Sequence, residues 1–175
     1  GVVAAAQEEI MVYVGHNTKK TGESANLQLV ATQYHSEASP MGTVAANLKI
    51  GPNKVTVPKL GSATGVEGGG ALYVQYTGNG GANDLYAVRI SGGVQVPRLD
   101  LYHVTDSAER LARTKAYVEE LQAYVAQIEA KHSEFHQNSS NNLVKFDYDA
   151  QNCILGAGDI LLDTMMLSLP VQQIW

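Results

Sequence analysis

The 175-residue sequence predicts an α+β fold: an antiparallel β-sandwich of jelly-roll type, then a long helix and the start of a mixed α/β segment. Three observations predict it. Residues 1–104 hold fifteen of the seventeen glycines, set between short runs of β-branched and aromatic residues. Their seven basic and seven acidic residues cancel, whereas residues 105–175 carry five basic and ten acidic ones, so the net charge of −5 lies entirely after that boundary. Beyond Thr105 the apolar residues recur at helical spacing. The chain therefore divides into two parts, 1–104 and 105–175.

The strands come first. IMVYVG (10–15), NLQLVATQY (26–34), TVAANLKIG (43–51), KVTVP (54–58), ALYVQYTG (71–78), LYAVRISG (85–92) and VQVPRLDLYHV (94–104) carry the residue types that suit a pleated, half-buried surface. Breakers such as GPN, GSATG, GGG and GNGGAND separate them. Strands at this spacing close most readily into a sandwich.

The helix follows. Asp106 with Glu109 three residues on forms a capping-box pattern. Leu111, Thr114, Val118, Leu121, Val125, Ile128, His132 and Phe135 then recur at spacings of three and four, an apolar stripe on a helix of about 25–30 residues, roughly 40 Å long. QNSSNN (137–142) ends it with turn-forming amides and hydroxyls, and LVKFDY (143–148) reads as another strand. Pro170 opens a helix that Trp175 cuts after one turn, as in a piece of something longer.

Composition excludes several classes. With 45% hydrophobic and 17% charged residues the chain folds rather than remaining disordered. No basic run supplies a nucleic-acid footprint, and no apolar run reaches the roughly 18 residues of a membrane span. The opening GVVAAAQEE lacks the basic start of an intact signal peptide. Cys153, the lone cysteine, makes no internal disulfide and reads as a small buried apolar residue.

KHSEFH (131–136) tests for zinc. His132 and His136, four apart, share a helix face. In H-E-x-x-H the glutamate follows the first histidine directly, but Ser133 stands there and Glu134 points about 200° round the helix. His16, His35 and His103 lie in the β part without ligand spacing, so no third ligand emerges. VEGGGALYVQY feeds a strand rather than a helix, so its glycines read as a close backbone approach, not a phosphate loop. Asp147 and Asp149 begin like a calcium loop, but Asn152 replaces the required glycine and Gly158 the twelfth-position glutamate. Tyr73 with Tyr76, or Tyr117 with Tyr124, could stack on sugar rings, although tyrosines more often fill cores and rims.

Taken in order, GVVAAAQEEIMVYVG, IGPNKVTVPKLG, GGGALYVQYTG, VRISGGVQVPRLDL, DSAERLARTKAYVEEL and ILGAGDILLDTMMLSLPVQQIW resemble the N-terminal half of the enhancin-like zinc metallopeptidase domain. The resemblance covers nearly the whole chain and is most specific at the glycine run and at MMLSLP. It implies a sandwich-like part ahead of a helical catalytic subdomain, which carries H-E-x-x-H and a distant glutamate. Neither element is matched here, so the resemblance assigns no catalytic and no metal residue, and no ligand-binding residue is fixed. It implies a non-catalytic portion of a secreted or cell-surface enzyme acting on glycoproteins such as mucins, with zinc only in the parent. Residues 105–175 would then lead into the catalytic subdomain. Two other readings stand beside it: a carbohydrate-binding or adhesion sandwich, and a structural protein pairing through its long helix. Met165, Met166, Leu167, Leu169, Ile174 and Trp175 form an apolar end that could drive self-association.

Overall fold

The computed structural model describes residues 1–32, 43–60, 69–81, 84–132 and 157–170, without the side chains of 128–132, 157 and 170. Eleven strands and one helix are present among them: β1 (Val2–Ala4), β2 (Glu9–His16), β3 (Ser24–Thr32), β4 (Thr43–Lys49), β5 (Gly51–Thr56), β6 (Gly70–Tyr76), β7 (Tyr86–Ser91), β8 (Val94–Gln95), β9 (Arg98–Asp100), α1 (Ser107–His132), β10 (Ala157–Leu161) and β11 (Met166–Pro170).

Two antiparallel sheets form the sandwich. The five-stranded one runs β4-β3-β6-β1-β8 and the three-stranded one β5-β2-β7. Their inner faces alternate as half-buried strands should: Ile10, Val12 and Val14 from β2 meet Leu27, Leu29 and Ala31 from β3, with Leu48 and Leu72 completing one core. The predicted runs 43–51 and 54–58 divide earlier than expected: β4 ends at Lys49 and β5 already begins at Gly51, whose φ of 97° turns the chain, so GPN belongs to the strand. The predicted run 94–104 also splits, at Val96 and Pro97, into two strands of different sheets.

Over β1, β8 and the start of β6 the five-stranded sheet is buried on its other face too, whereas Val44 in β4 is 48% exposed. Val3 and Ala71, register partners in β1 and β6, belong to a second core with Val94, Leu99, Leu101, Tyr117, Leu121 and Tyr124. A third sheet, β11-β10-β9, and α1 supply the rest, and β9 runs parallel to β10. This second core crosses the compositional boundary at Thr105.

The N-cap forms as the sequence predicts: the Glu109 amide donates to Asp106 Oδ1 at 2.7 Å. Glu109 itself turns forward to Arg113 at 2.6 Å, so only half of the reciprocal box is made. The predicted stripe needs correction. Leu121 is 1% exposed and Val125 is half-buried, but Leu111 and Val118 are 57% and 42% exposed, and Thr114 is also exposed. The buried line is Tyr117, Leu121 and Tyr124, turned toward the tyrosines. The first turns of α1 are held instead by polar ties: Arg110 Nη1 donates to the Val104 carbonyl at 2.9 Å and Arg113 Nη1 to that of Asp100 at 2.8 Å. Pro170 is the last residue of β11; residues 171–175, where the sequence places the first turn of a helix, lie outside the described residues. No described helix is long and apolar enough to cross a membrane.

Candidate functional site

Three places bring polar side chains together. At one end of the sandwich, the inward line of β2 terminates in His16, which faces its register partner Tyr86 with ring centroids 4.6 Å apart. His16 Nδ1 accepts from the amides of Thr18 and Lys19 at 3.1 and 3.0 Å. The proton therefore sits on Nε2, which donates to Asp84 Oδ1 at 2.8 Å. Tyr76, at the end of β6, donates its hydroxyl to Asp84 Oδ2 at 2.6 Å, and Lys19 Nζ donates to the Tyr86 hydroxyl at 2.9 Å. The group bolts the mouth of the sandwich shut. Both ring nitrogens of His16 are engaged, so it offers no metal ligand.

The bond from Tyr76, and after it that from His16, holds the Asp84 carboxyl below its ordinary value of 3.8. A depressed carboxylate contributes stability that is present above the unfolded value and is lost as pH falls through the folded one. Urea unfolding of the wild type should therefore lose stability from about pH 3.8 downward more steeply than that of Asp84→Asn. Equal slopes for the two proteins between pH 5 and 2.5 would refute the assignment.

The second place is Asp159 in β10, 1% exposed. It accepts from the Ser168 hydroxyl at 2.7 Å, the Tyr73 hydroxyl at 3.3 Å and the first amino group of the chain at 3.2 Å. Burial raises the Tyr73 hydroxyl, with the Ser168 bond acting against it and the Asp159 charge adding to it. The Tyr117 hydroxyl, buried and without a hydrogen-bond partner among the described residues, is pushed up to about 12 by burial, then by the charges of Asp159 and Glu120. Through Asp159, the Tyr73 and Ser168 bonds tie β6 and β11 to β10.

The third is a groove. Arg113, Ala116, Glu120, Ala123 and Gln127 lie three and four residues apart along one flank of α1. Opposite them runs the segment Gln95–Asp100, from the last residue of β8 through β9. Two hollows of about 500 and 220 Å³ lie between, both bounded by Arg98 and Glu120. Val96, Pro97 and Tyr124 give an apolar floor, and the alanines keep the flank low.

The structure scatters the residues singled out in the sequence. His132 ends α1, whereas Glu134, His136, Asp147, Asp149, Asn152 and Cys153 lie outside the described residues, as does His35. His103 is exposed beside Asp163 at 3.6 Å. Among the described residues, no three His, Cys, Asp or Glu side chains gather as a metal site. Tyr117 and Tyr124 are core residues, and Tyr73 is committed to Asp159. Tyr76 is 41% exposed, but its ring and that of Tyr86 are inclined at 55°, so the pair makes no flat platform for a sugar. The groove escaped sequence reading; its signal was the pair Ala116 and Ala123 seven apart on a helix, with Glu120 between.

No family model and no curated protein matches the sequence. Solved structures do match, and they are metalloprotease catalytic modules of the enhancin-like M60 type. The M60 catalytic domain of ZmpC from Clostridium perfringens, solved in complex with the sialyl T antigen, superposes with a TM-score of 0.60 at 19% identity, over 99% of this chain and 28% of that one. The ZmpB metallopeptidase of the same organism gives 0.58 at 19% identity, over 99% and 29%. The catalytic module of ZmpA gives 0.56 at 18%, over 99% and 29%. At these identities the likeness establishes the fold. The chain spans less than a third of the length of the chains it matches.

Proposed function

We propose that this chain is a non-catalytic portion of a secreted enhancin-like zinc metallopeptidase that acts on glycoproteins such as mucins. The observation that carries the reading is the superposition of 99% of the chain on a part of three metalloprotease catalytic modules. The sialyl T antigen bound by one of them favours a glycoprotein substrate. The described side chains do not fit a zinc site, since His16 is saturated and His103 stands apart on the surface. On this reading the metal and its ligands belong to the remainder of the parent. The sandwich of 1–104 and the helix and strands of 105–175 act as the scaffold on which that remainder is built.

The exposed Met165, Met166 and Leu167 on and beside the edge strand β11 suit this role, because they offer apolar surface to further structure. The test begins with the reading frame. An in-frame H-E-x-x-H beyond Trp175, with cleavage of a mucin-type glycopeptide by the longer chain, is the expected result. The 175-residue chain alone should bind no stoichiometric zinc and cleave nothing. One equivalent of zinc by elemental analysis, lost in His132→Ala, would overturn the reading.

A further inference from the structure

We propose that Asn79–Gly80 is a self-modification site, at which the Asn79 side-chain amide is lost by deamidation at a rate set by the Tyr76 hydroxyl. The pair lies in GNGGAND, the breaker between β6 and β7, and nowhere else in the sequence does glycine follow asparagine. The chemistry needs that order. The main-chain nitrogen of the following residue attacks the asparagine side chain, and a β-carbon on that residue crowds the approach. Gly80 has none, sits at a φ of 73°, and meets nothing within 4 Å where a β-carbon would stand. Asn79 is exposed, and its amide enters none of the hydrogen bonds among the described residues. Asn53, by contrast, gives its amide to the carbonyls of Val12, Lys49 and Gly51, and Asn47 accepts from Gln28. Lysine follows the first of these and leucine the second.

The step needs only water. The Gly80 nitrogen gives its proton to hydroxide and bonds to Cγ of Asn79. The Cγ–Nδ2 bond breaks, and ammonia leaves with a proton taken from water. Water then opens the resulting cyclic imide, either at Cγ to leave aspartate or at the main-chain carbonyl carbon of residue 79 to leave isoaspartate. One water enters, one ammonia departs, and nothing is oxidised or reduced.

Tyr76 restrains this reaction. The Gly80 amide donates to the Tyr76 hydroxyl at 3.0 Å, and that hydroxyl donates to Asp84 at 2.6 Å. The nitrogen must lose this same proton before it can attack, and an acceptor polarised by a carboxylate keeps the proton on it. The segment is also fitted to the ring. The Thr77 amide donates to the Asn26 carbonyl at 2.8 Å, and a β-carbon on Gly78 would collide with the Tyr76 ring and hydroxyl. Asn79 thus lies between two held points, with its own amide in solvent. Isoaspartate lengthens the main chain by one atom between those points, which draws the Gly80 amide off Tyr76 and loosens the mouth that His16 and Asp84 close. None of this depends on the peptidase reading.

The test is incubation of the whole chain in mildly alkaline buffer, with ammonia release measured and the products located by peptide mass mapping and isoaspartyl methyltransferase labelling. Aspartate and isoaspartate at position 79, ahead of every other asparagine, are expected. Tyr76→Phe removes the acceptor from a partly exposed ring and should speed the reaction about fivefold, the worth of one ordinary hydrogen bond. Asp84→Asn keeps an oxygen for Tyr76 and the Tyr76 hydroxyl for Gly80, so it should change the rate less than twofold. Equal acceleration in the two variants would mean that general loosening sets the rate, and no acceleration in Tyr76→Phe that the hydroxyl does not. Either result would overturn the proposal, as would earlier loss of amide at another asparagine. Hydrogen exchange of the Gly80 amide in the unsubstituted chain probes the bond directly. Slowing of about fivefold or more against a short unstructured peptide is expected, and unprotected exchange would overturn the role given to Tyr76.

Discussion

Leu121→Asp is expected to destabilise the chain by about 4 kcal/mol or more, enough to detach α1 or unfold the second core. Leu121 is among the largest fully buried side chains and lies between Tyr117 and Tyr124 against Leu99, Leu101 and Val96. Truncating a buried leucine alone costs about 2–5 kcal/mol, and a carboxylate left there without a partner adds its desolvation. Val118→Asp distinguishes this arrangement from the stripe predicted by spacing. On the stripe both positions are buried; in the structure Val118 is 42% exposed, so its substitution should stay within about 0.5 kcal/mol. Chemical unfolding of the two variants decides it, and comparable losses would mean that the helix is turned as the spacing suggested.

That contrast shows where the sequence was legible. Strands whose apolar residues alternate, such as Glu9–His16 and Ser24–Thr32, could be placed within two residues because one face meets the core and the other meets water. The cap at Asp106 was legible because it is local chemistry. The face of α1 was not. Tyrosine has both an apolar ring and a polar hydroxyl, and a pattern count that favours valine over tyrosine rotates the stripe by part of a turn. β1, three residues long, was also missed, because Val2–Ala4 is too short for any periodicity. The parallel pairing of β9 with β10 joins residues about sixty apart across α1, and no local signal carries it.

The candidate sites follow the same division. KHSEFH was set aside on helical angular spacing alone, and its residues 133–136 lie outside the described ones. The Asp84 network could not be read, because it joins the ends of β2, β6 and β7 from two sheets. Nor could the groove, which arises where a helix flank passes a strand edge.

The glycine run gives the last prediction. Its reading as a close backbone approach has a counterpart at the start of β6, where Gly70 is wedged between two strands. A β-carbon built on Gly70 would collide with the carbonyl oxygen and carbon of Thr32 in β3, and lie 3.2 Å from Leu60 Cδ1. On Gly69 it would collide with the backbone of Ala4 and Ala5. Neither obstacle is a side chain that can rotate away, so β1, β3 and β6 would have to separate. β6 is the middle strand of its sheet, and both cores rest on it through Ala71 and Leu72. Gly70→Ala should therefore cost about 3 kcal/mol or more, toward the top of the range for overpacking. Gly81→Ala is the control, since its β-carbon meets nothing within 4 Å, and its effect should be within about 0.5 kcal/mol. Matching urea midpoints for the two variants would mean that β1 and β3 are not held this close to β6.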